Sequence, residues 1–410
     1  MTLMVKSCAT VFVMFLAIGT SSIAANDFAH AWEGFETFFR DLMTEQEMVG
    51  AAVWFFHEGR PIAKSLHGLA DIEENRPVDE DTIFHWGSVT KTLTGIAILQ
   101  LRDRGLLQLD DPVVKHLPEL RRVHNPYGSM EEITIRHVMT HSAGFRAGTW
   151  PWGSGEPWQP FEPTEWEQLV AMFPYTRIEF EPGSRYGYSN PAVIFLGRII
   201  EILTGEDYEV YVDKNVFKPL GMHRSYFDRT PYHLLGFRSN NYTVRDGKPE
   251  ANGLDFDTGI TVSNSGLNAP ITDMGLYAAF LMGDPARRAE YDRILKRSSL
   301  EEMWEPRLPM VDPVAEEVEG ARDSIGLIFF VSERNGRELA GHTGSQEAFQ
   351  SFLYVDPKAR TAAVAAFNAD GAEKDGVRRP DARKVLTSVR ERVFEELFPL
   401  FAAKRGVRRQ

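Results

Sequence analysis

Short apolar strand signals stand at both ends of this chain, separated by more than half of its 410 residues. Near the N-terminus, residues 51–56 and 62–67 are β-rich apolar runs around Glu58-Gly59-Arg60, a hairpin signal. Near the C-terminus, residues 324–332 and 338–342 flank Asn335-Gly336, a dipeptide that suits a tight hairpin turn. Residues 350–355 and 361–368 flank Asp356-Pro357-Lys358 in the same way. Hairpin neighbours pair antiparallel. One antiparallel sheet built from both chain ends is the economical arrangement, with helices covering it. Residues 28–44 supply one such helix, with Phe28, Trp32, Phe35, Phe38, Phe39 and Leu42 on one side, and residues 382–398 supply another. Residues 90–101 are apolar on most faces, which predicts a buried helix ending near Gly105. Residues 106–320 mix helical patches with turn signals such as Glu181-Pro182-Gly183 and Asn268-Ala269-Pro270, and hold no internal repeat. The expected fold class is α+β: an antiparallel β-sheet flanked by helices, with an inserted, mainly helical region that is not a separate domain in chain order.

Charge and cysteine usage narrow the function. The net charge of −13 argues against bulk nucleic-acid binding, which needs a basic footprint. The short basic runs at Arg378-Arg379 and from Lys404 to Arg409 read as solvated ends. Residues 1–24 read as a signal peptide: Lys6, an apolar stretch at 9–18, then small residues ending Ser22-Ile23-Ala24-Ala25. The stretch is shorter than the ~20 residues a spanning helix needs, so no stable membrane span is expected after cleavage following Ala24. The expected organisation is therefore signal peptide 1–24, one catalytic domain 25–400 and a basic tail 401–410, exported to a periplasm or out of the cell. Cys8 lies inside the signal, so disulfides, thiol catalysis and cysteine metal sites are not expected in the mature chain.

Three local patterns carry chemistry. Ser88 and Lys91 are three apart at the mouth of the buried helix, which puts both on one face. A serine hydroxyl becomes a nucleophile when a base takes its proton, and a buried lysine with a lowered pKa is such a base. A helix cap beside a surface lysine would give the same spacing. Tyr188 and Asn190 are two apart in what reads as an extended loop, and so point to one side. The phenol can relay a proton and the amide can both donate and accept; a Tyr-rich turn is the plain alternative. His342-Thr343-Gly344-Ser345 ends a predicted strand whose edge can offer backbone N–H groups to an oxyanion, or it is simply a strand-end turn.

Taken together and in order, Ser88-Val89-Thr90-Lys91, Tyr188-Ser189-Asn190 and His342-Thr343-Gly344 resemble the three motifs of the serine β-lactamase-related hydrolases. That family comprises class C β-lactamases, D-alanyl-D-alanine carboxypeptidases, D-aminopeptidases and related esterases. The stretch from Thr134 to Phe145, Pro219-Leu220-Gly221-Met222 and Ile271-Thr272-Asp273-Met274 extend the resemblance over most of the mature chain. It implies a β-lactamase/transpeptidase-like fold and no cofactor or metal. It also implies roles: Ser88 forms an acyl-enzyme, Lys91 and Tyr188 share the acid–base work, and Asn190 orients the substrate. The N–H groups of Ser88 and Ser345 form the oxyanion hole, on the strand that carries His342, Thr343 and Gly344.

Many relatives carry lysine where His342 stands. Histidine is only partly charged near neutral pH, which favours an ester or D-amino-acid peptide over a β-lactam. A β-lactamase, an acyltransferase and a non-catalytic binding protein of the same fold are the alternatives, and the oligomeric state is left open. His137 and His141 are four apart, but Val138 stands where a zinc protease needs glutamate, and the resemblance makes that stretch structural. The aromatic stretch Trp150, Trp152, Trp158, Phe161, Trp166 reads as a loop packed on the helical region in preference to a pocket lining.

Overall fold

Residues 51–56 are apolar at every position because the sheet they enter is covered on both faces. The computed structural model describes residues 14–152, 162–254, 257–310, 321–372 and 378–401, with side chains from residue 26 onward. The side chains of the expected signal segment, and the basic tail beyond Phe401, fall outside the described residues. No described helix is long and apolar enough to cross a membrane.

Nine described strands form the main sheet. In chain order they are β1 (Gly50–His57), β2 (Arg60–Asp71), β3 (Arg76–Pro77), β4 (Leu308–Pro309), β5 (Ala321–Ile325), β6 (Phe330–Arg334), β7 (Arg337–Gln346), β8 (Phe349–Asp356) and β9 (Thr361–Phe367). They lie side by side as β3-β2-β1-β9-β8-β7-β6-β5-β4, each pair antiparallel. The two chain ends meet at the centre, where β1 and β9 pair with Ala52 opposite Ala366 and Phe56 opposite Ala362.

The period-two alternation of a strand sorts the side chains into two cores. On one face Ala52, Trp54, Phe56, Leu353 and Val364 pack with Leu93 and Ile96 of helix α2 (Thr90–Asp103). Met274 and Phe280, from a helix over Ile271–Met282, join them. On the other face Ala51, Val53, Phe55, Ala365 and Phe367 meet Phe35, Phe39 and Met43 of helix α1 (Met14–Glu45). Val385 and Val389 of the C-terminal helix (Ala382–Arg392) close that layer. The sheet from both ends and the inserted helical region agree with the expected α+β arrangement.

Three local expectations are corrected. Residues 324–332 are not one strand: the chain turns between β5 and β6, with Ile328 at φ +70°. A Cβ on Gly326 would lie 2.1 Å from the carbonyl oxygen of Met303, so the turn nestles against a distant backbone that only glycine admits. The final helix is regular only to Arg392, continuing as a wider turn over Val393–Leu397 and a tight one over Phe398–Phe401. Asn190 does not lie in an extended loop with Tyr188; it opens a helix over Asn190–Thr204, with the Ser189 side chain capping the N–H of Ala192. In the aromatic stretch, Trp166 is buried edge-on to Phe173 and Phe195, and Trp150 rests on the same core beside Trp152. Trp158 and Phe161 lie outside the described residues.

Candidate active site

The serine turn is built by close backbone approach. Trp86 is held at three atoms: its backbone N–H donates to Leu267 O (2.8 Å), its indole N–H to Ala269 O (2.9 Å), and its carbonyl accepts from Ser351 Oγ (2.9 Å). Gly87 follows at φ +49°, and a Cβ there would sit 2.9 Å from Ser345 N. On the opposing strand a Cβ on Gly344 would sit 1.9 Å from Trp86 O. Two glycines facing each other thus let β7 touch the turn that carries Ser88. Ser88 lies in a single tight turn, Gly87–Val89, from which α2 starts at Thr90. The Thr90 hydroxyl locks the junction, donating to Gly87 O (2.6 Å) and accepting from Leu267 N (3.0 Å).

Helical spacing then brings Lys91 under Ser88. Lys91 Nζ lies 2.9 Å from Ser88 Oγ and 3.0 Å from Asn264 O, and Tyr188 Oη donates to Ser88 Oγ at 2.8 Å. Every residue of α2 from Thr90 to Leu101 is buried, Lys91 included. Burial therefore pushes the Lys91 pKa well below its ordinary 10.5, opposed by the charge of Glu162. Burial pushes the Tyr188 phenol up, against the pull of its bond to Ser88. Two groups on one hydroxyl, one eased toward a free amine and the other held as a phenol, form an acceptor–donor pair for the serine proton.

His342 is fully buried, its ring stacked on Phe330 at 4.0 Å. Burial, and secondarily the charge of Lys91, pulls its pKa to about 3. The partly charged histidine expected from the sequence is corrected to a neutral one. Its Nδ1 donates to Thr343 O (2.5 Å), leaving Nε2 as a buried acceptor without a hydrogen-bond partner. His342 offers no fixed cation.

Strand β7 supplies an open edge. Its ladder to β6 stops where Gly341 faces Phe330, whereas its ladder to β8 continues to Gln346 opposite Phe349. Thr343, Gly344 and Ser345 thus run beside the Ser88 turn with one side free of strand pairing among the described residues. Asn190 enters the same cleft, its backbone N–H fixed to Ala147 O (3.0 Å) and its Oδ1 buried without a partner. The cleft of about 390 Å³ brings together Ser88, Tyr188, Asn190, His342, Thr343, Gly344 and Ser345. Lys91 is buried behind this lining and meets the cleft through Ser88 Oγ.

Sequence reasoning missed part of the wall. Phe330 and Gln350 line the cleft, as do Arg383 and Arg390 from the C-terminal helix. Gln350 Nε2 donates to Ser345 Oγ (2.8 Å), and Arg390 is paired with Glu391 (2.7 Å). Arg383 has no carboxylate of the described residues within ion-pair distance. The spacing of residues 383 and 390 marks one helical stripe, but nothing local tells that the stripe faces Ser88. His137, set aside above, caps its own helix by accepting the N–H of Thr134 at Nδ1 (3.3 Å).

A family model described as Beta-lactamase matches residues 35–387. The esterase EstB of Burkholderia gladioli is 36% identical over 197 residues, covering 45% of this chain and 48% of that protein. A beta-lactamase of Yersinia enterocolitica is 31% identical over 212 residues, 51% of this chain and 49% of its own length. The chain thus spans about half the length of these relatives. A solved class C beta-lactamase superposes with a TM-score of 0.68 over 90% of this chain and 97% of its own, at 18% identity, a likeness of fold. With the family match running from α1 to the helix that carries Arg383, the chain belongs to the beta-lactamase family of serine hydrolases.

Proposed function

We propose that this chain is an exported serine hydrolase that cleaves esters through an acyl-enzyme on Ser88. The observation that carries the reading is the Ser88 hydroxyl, held 2.9 Å from Lys91 Nζ and 2.8 Å from Tyr188 Oη. In acylation the Ser88 proton passes to the free amine of Lys91 as Oγ bonds to the substrate carbonyl carbon. The carbonyl electron pair moves to oxygen, where the N–H groups of Ser88 and Ser345 receive it; one such donor contributes roughly 3 kcal/mol in comparable sites. The carbon–oxygen bond to the leaving alcohol then breaks, and that oxygen takes the Tyr188 proton. The Lys91 ammonium returns a proton to Tyr188. Deacylation repeats the sequence with water as the attacking group and Ser88 Oγ as the leaving one.

A neutral His342 favours an uncharged acyl or leaving group over a β-lactam carboxylate, and the likeness to an esterase supports the same choice. Export rests on Lys6, the apolar stretch at 9–18 and the small residues ending at Ala24. The test is hydrolysis of p-nitrophenyl butyrate by the full chain and by Ser88→Ala. Turnover that falls by about 10⁴ or more in the variant is the expected result. A folded wild type that neither turns over nor is labelled by an acylating probe would sink the reading and leave a binding role. A second reading, a peptidase for D-amino-acid peptides, draws on Arg383, a cleft-lining arginine with no ion-pair partner among the described residues, which could meet a substrate carboxylate. Cleavage of a D-alanyl-D-alanine peptide in preference to its C-terminal amide would select it.

A further inference from the structure

His141 stands apart from the three motifs, yet it grips the segment that carries Tyr188 at three points. Its backbone carbonyl accepts the Gly187 N–H (2.7 Å). Its Nδ1 accepts the Ser189 N–H (3.2 Å). Its ring stacks on the Tyr188 ring with centroids 4.6 Å apart and planes 30° apart, while Tyr186 meets it edge-on at 6.0 Å. These contacts bracket Tyr188 on both sides in sequence and support its ring from beneath.

His141 adopts φ +50°, a left-handed conformation that is strained for a residue other than glycine. That conformation follows the short helix over Ile135–Met139 and is fixed by the His141 N–H on Val138 O (3.1 Å) and the Ser142 N–H on His137 O (2.8 Å). In that conformation the imidazole lies against the Tyr188 ring and takes the Ser189 N–H. Because Nδ1 accepts a hydrogen bond, the ring proton sits on Nε2, and the grip exists only in the neutral ring. A protonated ring would set an N–H at Nδ1 against the Ser189 N–H. Burial is the main cause that holds the ring neutral, with its pKa well below the ordinary 6.5.

We propose that His141 is a positioning residue for the reaction: it fixes the Tyr188 hydroxyl on Ser88 by stacking beneath the phenol ring and accepting the N–H of Ser189. The proposal rests on the reading of Tyr188 as the proton donor. It assigns a specific task to a stretch that otherwise reads as structural.

The experiment compares wild type, His141→Ala, His141→Asn and Tyr188→Phe on p-nitrophenyl butyrate, with kcat, KM and thermal midpoint measured for each full chain. His141→Ala removes stack and acceptor, and the expected outcome is a fall in kcat of about 100-fold with KM within about twofold, as for a misplaced catalytic group. Asparagine tolerates the left-handed backbone and keeps an acceptor, so His141→Asn is expected to recover at least about fivefold over alanine, the worth of one hydrogen bond. A merely structural residue would lower the thermal midpoint and leave kcat per folded molecule unchanged; that result, or an asparagine variant no better than alanine, overturns the proposal. If the alanine variant does not fold, an asparagine variant with wild-type kcat overturns it and one with lowered kcat at unchanged KM upholds it. Full activity in Tyr188→Phe would mark failure of the underlying mechanism. An impaired Tyr188→Phe beside unimpaired His141 variants would mark failure of this inference alone.

Discussion

Gly344→Ala tests whether the contact between β7 and the serine turn builds the site. The added methyl would stand 1.9 Å from Trp86 O and 2.4 Å from Ser351 Oγ, whereas real Cβ contacts stay beyond about 3 Å. Trp86 cannot yield, because its backbone and indole are tied to Leu267 and Ala269. The strand must therefore retreat by about 1 Å, and the adjacent Ser345 N–H moves with it. A shift of that size at a reacting centre costs about 100-fold in rate, and full loss of one oxyanion donor costs about 10²–10³-fold. Overpacking itself adds about 1–3 kcal/mol of destabilisation. The assay is kcat and KM on p-nitrophenyl butyrate, with urea unfolding in parallel. Gly336→Ala serves as the control: it lies at φ +75° in the turn leading into the same strand with open space around it, so it carries backbone strain without touching the site. The expected pattern is kcat down by about 100-fold or more in Gly344→Ala and unchanged in Gly336→Ala. A folded Gly344→Ala protein with kcat within about threefold of wild type would refute the argument that this approach sets the oxyanion donors.

Lys91→Met is expected to abolish turnover yet stabilise the fold by about 1–3 kcal/mol at neutral pH, since it removes a buried amine. The folded Lys91 pKa lies below the unfolded 10.5, so the unfolded state binds more protons between the two values and wild-type stability rises with pH through that window. The advantage of the methionine variant should therefore shrink toward pH 10.5, and urea unfolding that gives the same difference at pH 7 and pH 10 would contradict it. Arg383→Ala should leave neutral p-nitrophenyl esters untouched and lower kcat/KM by about tenfold for substrates bearing a free carboxylate, the worth of one charge-assisted hydrogen bond. Ser351→Ala removes the donor to Trp86 O and should cost about 1 kcal/mol in urea unfolding with a smaller effect on kcat than Gly344→Ala; equal losses of kcat would show that the hydroxyl, not the glycine contact, holds the turn.

The residues that were legible in the sequence are those whose chemistry is coupled to local periodicity. Lys91 could be read as a base because it interrupts a helix that is otherwise apolar on most faces, and the pattern that predicts burial is the pattern that frees the amine. The sheet was legible for a similar reason, since the run at 51–56 leaves no polar face to turn toward water. What stayed hidden depends on partners remote in the chain. The break at Gly326 is dictated by the Met303 carbonyl, Arg383 becomes a cleft residue through the packing of the C-terminal helix on β8, and His342 is neutral because it is buried against Phe330. His141 shows the same limit at short range. Its four-residue spacing from His137 suggests a shared helical face, but the left-handed turn at His141 sends the two rings to different tasks, one capping a helix and the other stacked on Tyr188. A residue type and a spacing can nominate a nucleophile and its base, whereas the groups that hold them in register are chosen by backbone turns that depend on the whole fold.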